Sequence, residues 1–392
     1  MVPSAVIYTS VINAWARQGD ASRAEAVLEE MYKDYQNGNE SAKPDIKTFC
    51  AVLNAWARSK SHDAPNRADA ILSRMWELCD QFETRPNVVS YNILIDCWAK
   101  SGRNDSALQA EAVLRDMQER RIPGAQNLVP DAISYCTVMN AWARQRDASR
   151  AEALLEEMFQ DYKSGNESVK PQAISFNSVL NAWARSGSAD APERANAIFA
   201  KMWELSDQFE TRPNVVSYNI LIDCWAKSGR KDAASRAEQI FRGMHNADVR
   251  ELLPNTISYG MLIHAWVRQG DASRAELLLK EMCDDYKNKN RSAKPNVRLY
   301  NTVLNAWAKS RLPDAPERAE VFLSKMWNLS EQLEIRPDVI SYNTLLDCWA
   351  KSSRKEAVNR IEAALLDMRK RNIIPDKITR RYETWLKRNE NQ

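Results

Sequence analysis

A proline recurs at nearly constant intervals along this chain, and the same short amphipathic pattern follows it each time. The prolines are Pro3, Pro44, Pro86, Pro130, Pro171, Pro213, Pro254, Pro295, Pro337 and Pro375. Twelve residues after each of the first nine stands a tryptophan: Trp15, Trp56, Trp98, Trp142, Trp183, Trp225, Trp266, Trp307 and Trp349. Repeats of 41 to 44 residues indicate a stacked array, in which each repeat buries its apolar face only against its neighbours.

Each repeat contains two amphipathic segments. In the repeat that begins at Pro213, the first apolar stripe has helical spacing and is formed by Tyr218, Leu221, Ile222 and Trp225. A cation and a glycine, Lys227 and Gly229, then predict the end of that helix. A second stripe follows at Ala237, Ile240, Phe241 and Met244. The sequence therefore predicts helical hairpins and an all-α fold.

Composition excludes several classes of protein. The net charge is +3, from 55 basic and 52 acidic residues, which argues against indiscriminate binding of polyanions. Seven scattered cysteines and three histidines do not form a zinc motif. We find no phosphate-binding glycine loop, no Ser–His–Asp set and no apolar run of about 18 residues. We therefore expect no enzyme, no cofactor, no metal site and no membrane span, and no targeting peptide before the first repeat.

The run VVSYNILIDCWAKSGR, followed by RAEQIFRGM and LLPN, resembles the pentatricopeptide repeat family. The resemblance covers the whole chain and implies a right-handed superhelical α-solenoid over residues 1–392, with residues 375–392 as a degenerate C-terminal cap. It also implies sequence-selective binding of single-stranded RNA, about one base per repeat, in RNA stabilisation, processing or translation. Most relatives act in mitochondria or plastids, so either organelle is an expectation for this chain.

In that family, a first-helix residue and the residue after the next proline read one base together. The first-helix residues that match are Thr9, Cys50, Asn92, Cys136, Asn177, Asn219, Gly260, Asn301 and Asn343. Their partners, in the same order, are Asp45, Asn87, Asp131, Gln172, Asn214, Asn255, Asn296, Asp338 and Asp376. Asp only accepts hydrogen bonds and suits uracil or guanine, whereas Asn also donates and suits cytosine or adenine. The resulting hypothesis is 5′-G-n-U-n-C-C-A-U-U-3′, with Cys50 and Cys136 unread and Gly260 atypical.

The partner residues have a second interpretation, because Asp and Asn after proline are also good helix N-caps. Two further sets carry similar alternatives. Seven β-branched residues, which either sandwich bases or pack against the next repeat, are Val6, Val89, Ile133, Ile174, Val216, Ile257 and Ile340. Nine cations, which either contact phosphates or stabilise helix C-termini, are Arg17, Arg58, Lys100, Arg144, Arg185, Lys227, Arg268, Lys309 and Lys351.

Two rival functions remain open at this point. A helical solenoid can also bind protein partners in its concave face, and a hydrophobic peptide groove would respond little to salt. A nuclease without a recognisable motif is the third hypothesis, and it requires cleavage that chelation abolishes. The tryptophans are predicted to belong to the core rather than to stack on bases, because they lie in the apolar stripe.

Overall fold

The computed structural model describes residues 3–82, 84–120, 128–246, 252–310, 312–352 and 354–389. It divides into two compact units, Met1–Pro213 and Asn214–Gln392. The α-helices are α1 (Ala5–Gln18), α2 (Ala21–Gln36), α3 (Ile46–Arg58), α4 (Ala64–Leu78), α5 (Val88–Lys100), α6 (Ser106–Glu119), α7 (Ala132–Arg144), α8 (Ala148–Lys163), α9 (Ala173–Ser186), α10 (Ala191–Glu204), α11 (Val215–Lys227), α12 (Ala233–Asn246), α13 (Thr256–Arg268), α14 (Ala272–Lys287), α15 (Val297–Lys309), α16 (Ala315–Leu333), α17 (Val339–Lys351), α18 (Ala357–Lys370) and α19 (Lys377–Asn389). No strand occurs in the described residues, and the predicted all-α repeat fold is confirmed.

The odd-numbered helices follow the repeat prolines, and we call them first helices; the even-numbered ones are second helices. In the first unit, α1, α3, α5, α7 and α9 pack side by side in chain order. The second helices α2, α4, α6 and α8 each pack against their own first helix and the next one, and α10 packs against α9. The second unit repeats this arrangement from α11 to α19. First helices therefore form one layer within each unit, and second helices form the other.

The residue after the proline caps the first helix. The Asp131 carboxylate accepts the backbone N–H of Ser134, and the Ser134 hydroxyl accepts the backbone N–H of Asp131. Asn87, Asn214, Asn255 and Asp338 form the same capping box. A cap of this kind stabilises a helix by about 0.5–2 kcal/mol. At the other end, α11 stops at Lys227 and Gly229 adopts φ 72°, so the predicted helix end is confirmed.

Most of the repeat tryptophans belong to the core, as predicted. Six of them are buried: Trp56, Trp98, Trp183, Trp225, Trp307 and Trp349. Trp15, Trp142 and Trp266 are half-buried, and each lies in the repeat that opens a block of three. Burial leaves the first six unable to stack on an external base.

Consecutive repeats are joined by a clamp of tryptophan, glutamate and arginine. The Trp142 indole N–H donates to Glu111 Oε2 at 2.8 Å, and Arg150 Nε donates to the same oxygen at 3.0 Å. Burial alone would raise the pKa of Glu111, but the hydrogen bonds from Arg150, Trp142 and Arg115 outweigh it and hold the pKa below its usual range. The clamp therefore keeps a poorly solvated carboxylate ionised between two repeats.

Glu111→Ala is expected to lower the free energy of unfolding by about 1–3 kcal/mol, because the indole and guanidinium donors lose their common acceptor. Chemical denaturation in urea measures this loss. Since the folded pKa of Glu111 is lowered, its contribution is present above the usual glutamate pKa of 4.5 and is lost as pH falls through the folded value. The variant should therefore lose less stability than the wild type on acidification.

The control is Glu156→Ala, which removes a partly exposed ion pair with Lys201. Such a surface pair contributes less than about 1 kcal/mol. Equal losses in the two variants would contradict a special role for the clamp.

The repeats that begin at Pro3, Pro130 and Pro254 have a long tail after the second helix, and this tail folds back onto its own repeat. Short 3-10 helices occupy Glu40–Ala42, Glu167–Val169 and Arg291–Ala293. Just before them, the side-chain amides of Asn39, Asn166 and Asn290 donate to the carbonyls of Pro3, Pro130 and Pro254 at 2.9, 3.0 and 2.8 Å. The tail of each such repeat is thus tied to its beginning.

None of the described helices combines the length and apolarity that crossing a bilayer requires.

Candidate nucleic-acid interface

The predicted base-reading residues lie in the second turn of the first helices, and their partners are the N-caps of the next first helix. Asn92 Nδ2 donates to Asp131 Oδ1 at 3.1 Å. Asn301 Nδ2 donates to Asp338 Oδ1 at 3.1 Å, and Asn343 Nδ2 donates to Asp376 Oδ1 at 3.0 Å. The fold therefore brings together side chains that are 39, 37 and 33 residues apart in sequence.

A third side chain, which the sequence reasoning missed, joins each of these pairs. It is the Ser or Thr three residues after the N-cap, and its hydroxyl donates to the carboxamide oxygen of the reading Asn. Ser134 donates to Asn92 Oδ1 at 2.6 Å and Thr379 to Asn343 Oδ1 at 2.8 Å. Ser341 contacts Asn301 in the same way at 2.6 Å. We call the reading residue, the N-cap and this hydroxyl residue the junction cluster.

Two further junction clusters keep a contact between the reading residue and the hydroxyl residue without an Asn–Asp pair. Asn219 Oδ1 accepts from the Ser258 hydroxyl at 2.6 Å, whereas Asn219 Nδ2 is 3.5 Å from Asn255 Oδ1. In the first repeat, Thr9 Oγ1 lies 3.0 Å from Thr48 Oγ1, and Thr48 donates to Asp45 Oδ1 at 2.7 Å. Thr9 and Asp45 are thus connected through the hydroxyl residue.

The repeats that fit no standard pairing depart from the cluster in physically coherent ways. Cys136 replaces the reading Asn, and its thiol is 3.5 Å from the Ser175 hydroxyl, while Gln172 makes no capping hydrogen bond. Burial raises the pKa of the Cys136 thiol, and burial likewise raises the pKa of Cys50 to about 11. Both side chains are therefore neutral thiols, which offer a base only weak hydrogen bonds.

Gly260 is explained by its neighbour in the next repeat. A Cβ atom at Gly260 would lie 3.4 Å from Leu299 Cδ2, and Leu299 occupies the position that Ser or Thr holds in the other clusters. The apolar Leu299 side chain thus takes the space of the missing Asn, and Asn296 has no amide partner from Gly260. Asn177 lies in the first unit and Asn214 in the second, so that pair stays a sequence-based prediction.

Each Asn–Asp cluster has donor and acceptor groups that its internal hydrogen bonds do not use. Asp376 Oδ1 accepts the backbone N–H groups of Ile378 and Thr379, both at 2.8 Å. The backbone N–H of Thr379 is the main cause that holds the pKa of Asp376 below its usual range, and the Asn343 amide adds to it. The carboxylate is therefore ionised at neutral pH, and it retains lone pairs beside the second N–H of the Asn amide. An acceptor and a donor are offered together.

The seven β-branched residues are exposed on the first helices. Their exposed fractions run from 53% for Val89 to 74% for Val6. Five further members are Ile133, Ile174, Val216, Ile257 and Ile340. Each precedes a reading residue by three positions and so lies on the same helix face. Their exposure leaves them free to contact a ligand and argues against the alternative that they are buried against the next repeat.

The nine cations two residues past the tryptophans are all exposed, but their surroundings differ. Lys100, Lys227 and Lys351 form ion pairs with Asp96, Asp223 and Asp347 at 2.6, 2.5 and 2.6 Å. Arg144 and Arg268 donate to the carbonyls of Ala99 and Ala226, in the last turn of the preceding first helix, at 2.8 and 3.0 Å. Within the described part of the chain, the others have no hydrogen-bonding or ionic partner: Arg17, Arg58, Arg185 and Lys309.

The described residues contain no group of His, Cys, Asp and Glu side chains that could hold a metal ion.

Models of the pentatricopeptide repeat match the chain in several segments. The PPR repeat matches residues 6–34, 84–118 and 216–249, and the pentatricopeptide repeat domain matches residues 112–186 and 239–310. Together these segments cover more than half of the chain.

Among solved structures, the crystal structure of the pentatricopeptide repeat protein PPR10 from maize is similar to this chain. The two are 23% identical over 95% of this chain and 45% of that one, with a TM-score of 0.59. PPR10 in complex with an 18-nt psaJ RNA element matches at 20% identity over 96% of this chain and 57% of that one, with a TM-score of 0.38. This chain spans about half the length of these relatives. No curated protein sequence gives a match.

Proposed function

Because this chain is a member of the pentatricopeptide repeat family, we propose that it binds single-stranded RNA sequence-selectively, with about one base read per repeat. The observation that carries the proposal is the junction cluster, a polar pair that recurs at several repeat junctions, at two of them beside an exposed aliphatic side chain. A role in RNA stabilisation, processing or translation, in mitochondria or plastids, is part of the proposal and rests on family resemblance.

The chemistry of the cluster supports selection of bases by their hydrogen-bonding edges. In the Asn92–Asp131 cluster, an amide N–H stands beside a carboxylate that can only accept. Uracil presents the complement, a carbonyl oxygen beside a ring N–H. In the Asn219–Asn255 cluster the acceptor-only group is replaced by an amide, which can donate to the bare ring nitrogen of cytosine. The exposed Val89 and Val216 side chains would pack on the faces of neighbouring bases.

Binding of labelled 5′-GNUNCCAUU-3′ RNA tests the proposal. We expect it to exceed binding of the same RNA with CC replaced by GG by at least about tenfold, because each mismatch leaves polar groups unpaired. It should also exceed binding of the DNA version, which lacks the 2′-hydroxyl groups. A filter-binding or fluorescence-anisotropy titration gives the three dissociation constants. Equal binding of all three nucleic acids would contradict a base-reading function and leave a basic surface without selectivity.

The salt dependence of the same titration separates RNA from a protein ligand. Each phosphate contacted on a single strand contributes a slope of about −0.7 to the log–log plot of affinity against salt. Six to nine phosphate contacts predict a slope of about −4 to −6, the lower magnitude applying if the ion-paired Lys100, Lys227 and Lys351 do not contribute. A slope near zero, or no RNA binding at any salt concentration, would favour a protein partner instead.

A further inference from the structure

The hydroxyl residues of the junction clusters are buried in every case. Ser134, Ser258, Ser341 and Thr379 have no accessible surface. They are therefore hidden from any base and cannot contact RNA directly. Yet each makes a hydrogen bond of 2.6–2.8 Å to the reading Asn, shorter than any bond between that Asn and its N-cap.

One proton decides what each hydroxyl can do. Ser258 Oγ accepts the backbone N–H of Asn255 at 3.1 Å, so its single proton is left for donation. Asn219 Oδ1 at 2.6 Å and Asn255 Oδ1 at 3.1 Å compete for that proton. Asn255 Oδ1 already accepts the backbone N–H groups of Ile257 and Ser258, both at 3.0 Å. The Ser258 proton therefore goes to the nearer and less occupied oxygen, on Asn219.

This bond determines which end of the carboxamide faces outward. With Oδ1 held by the hydroxyl, Asn219, which is 7% exposed, keeps its Nδ2–H group on the side of Asn255 as the donor left for a base. If the amide were rotated by half a turn, Oδ1 would face Asn255 Oδ1, and two acceptors would oppose each other. In the Asn92 cluster the Asp131 carboxylate restrains the amide as well, since a carboxylate accepts from Nδ2 but not from Oδ1. The hydroxyl is thus the main restraint on Asn219 and one of two restraints on Asn92.

We propose that Ser134, Ser258, Ser341 and Thr379 are positioning residues for base selection, each fixing the amide orientation of the reading Asn in the preceding repeat. The proposal rests on the RNA-binding function proposed above. A fixed outward N–H pairs with a pyrimidine carbonyl, and adenine has no carbonyl to offer. A freely rotating amide would also turn its oxygen outward and accept the exocyclic amine of adenine. The buried hydroxyl therefore excludes adenine without touching it.

The test compares Ser258→Ala with Ser90→Ala. Ser90 forms the same capping box with Asn87, but its preceding reading position is Cys50, so no Asn amide depends on it. We expect Ser258→Ala to reduce the preference for cytosine over adenine at the sixth nucleotide by about three- to tenfold. Ser90→Ala should keep the wild-type preference at every nucleotide. Ser258→Thr should also keep it, because a threonine hydroxyl, that of Thr379, makes the same bond to the reading Asn in the last cluster.

Unchanged preference in Ser258→Ala, or the same change in both alanine variants, would overturn the proposal. A smaller effect is expected for Ser134→Ala at the third nucleotide, because Asp131 still holds the amide.

A measurement on the free protein keeps this inference separate from RNA binding. ¹⁵N relaxation of the Asn219 side-chain amide should show a rigid group in the wild type and in Ser90→Ala, and a mobile one in Ser258→Ala. If the wild type selected no base, the proposed function would fail, while this amide measurement would still decide the positioning role. An Asn219 amide equally mobile in all three proteins would overturn it.

Discussion

Asp131→Asn is expected to change the preferred third nucleotide from uracil to cytosine, with relative affinities moving by about ten- to a hundredfold. The Asp131 carboxylate accepts from Asn92 and cannot donate, whereas an amide in its place can donate to the ring nitrogen of cytosine. The chain contains the natural counterpart of this variant. Helices α5 and α11 have the same sequence, VVSYNILIDCWAK, and Asn219 of α11 is paired with Asn255 rather than Asp.

The change should leave stability within about 0.5 kcal/mol, because Asp and Asn are equally good N-caps. Asn87 and Asn255 already form the capping box that Asp131 forms. Competition binding with RNAs that differ only at the third nucleotide measures the switch. The matched control is Asp147→Asn, which alters the cap of the second helix α8, where the side chain accepts the backbone N–H of Arg150. Uniform weakening for all four bases, or no difference from the control, would mean that Asp131 serves as a cap alone.

The second large effect is expected where the polar cluster is missing. Leu299→Ser should cost about 2–4 kcal/mol, because it empties a buried apolar site. Gly260→Asn should cost about 1–3 kcal/mol, since the new side chain meets Leu299 Cδ2. Together the two substitutions recreate the pattern of Asn219, Asn255 and Ser258, with Asn296 as the N-cap. The double variant should therefore lie within about 1 kcal/mol of the wild type, a strong departure from additivity.

A double-mutant cycle by urea denaturation of the four proteins measures this coupling. The double variant should also acquire a preference for cytosine at the seventh nucleotide, where the wild type has only Asn296 as a reader. Additive losses of stability would show that Gly260 and Leu299 do not compensate each other. Restored stability without the new preference would show that the cluster is a packing device at this junction.

The regular spacing of proline, tryptophan and apolar residues was sufficient to predict the helices. The family resemblance supplied the pairs of residues that meet at the Asn92, Asn301 and Asn343 junctions. Asn92 and Asp131 lie within hydrogen-bonding distance because local sequence signals determine where their two helices begin and end. The sequence did not predict the second role of Ser134, because the capping box of α7 is by itself a sufficient reason for a serine at this position. Its second partner is 42 residues away and is brought near only by packing of α5 against α7.

The reason for Gly260 was hidden in the same way. A glycine inside a helix suggests weak helix propensity, and nothing in its own repeat explains it. The compensating residue, Leu299, belongs to the next repeat, and the exchange of a polar cluster for an apolar contact appears only when the two helices are side by side. The ion pairs of Lys100, Lys227 and Lys351 could have been predicted from the sequence, because their Asp partners are four residues earlier on the same helix.

Asn39, Asn166 and Asn290 tie the tails of their repeats back to the start of the same repeat. The number of residues in such a repeat therefore does not set the distance between neighbouring reading residues. The distance between neighbouring readers within a unit is set by how closely two first helices pack, about 8–10 Å. Residues stored in a tail do not enter that distance. Lengthening such a tail costs little loop entropy, roughly 0.6 kcal/mol for each doubling. Peptide tags or effector domains inserted in these tails would therefore leave the number of nucleotides that the repeats bind unchanged.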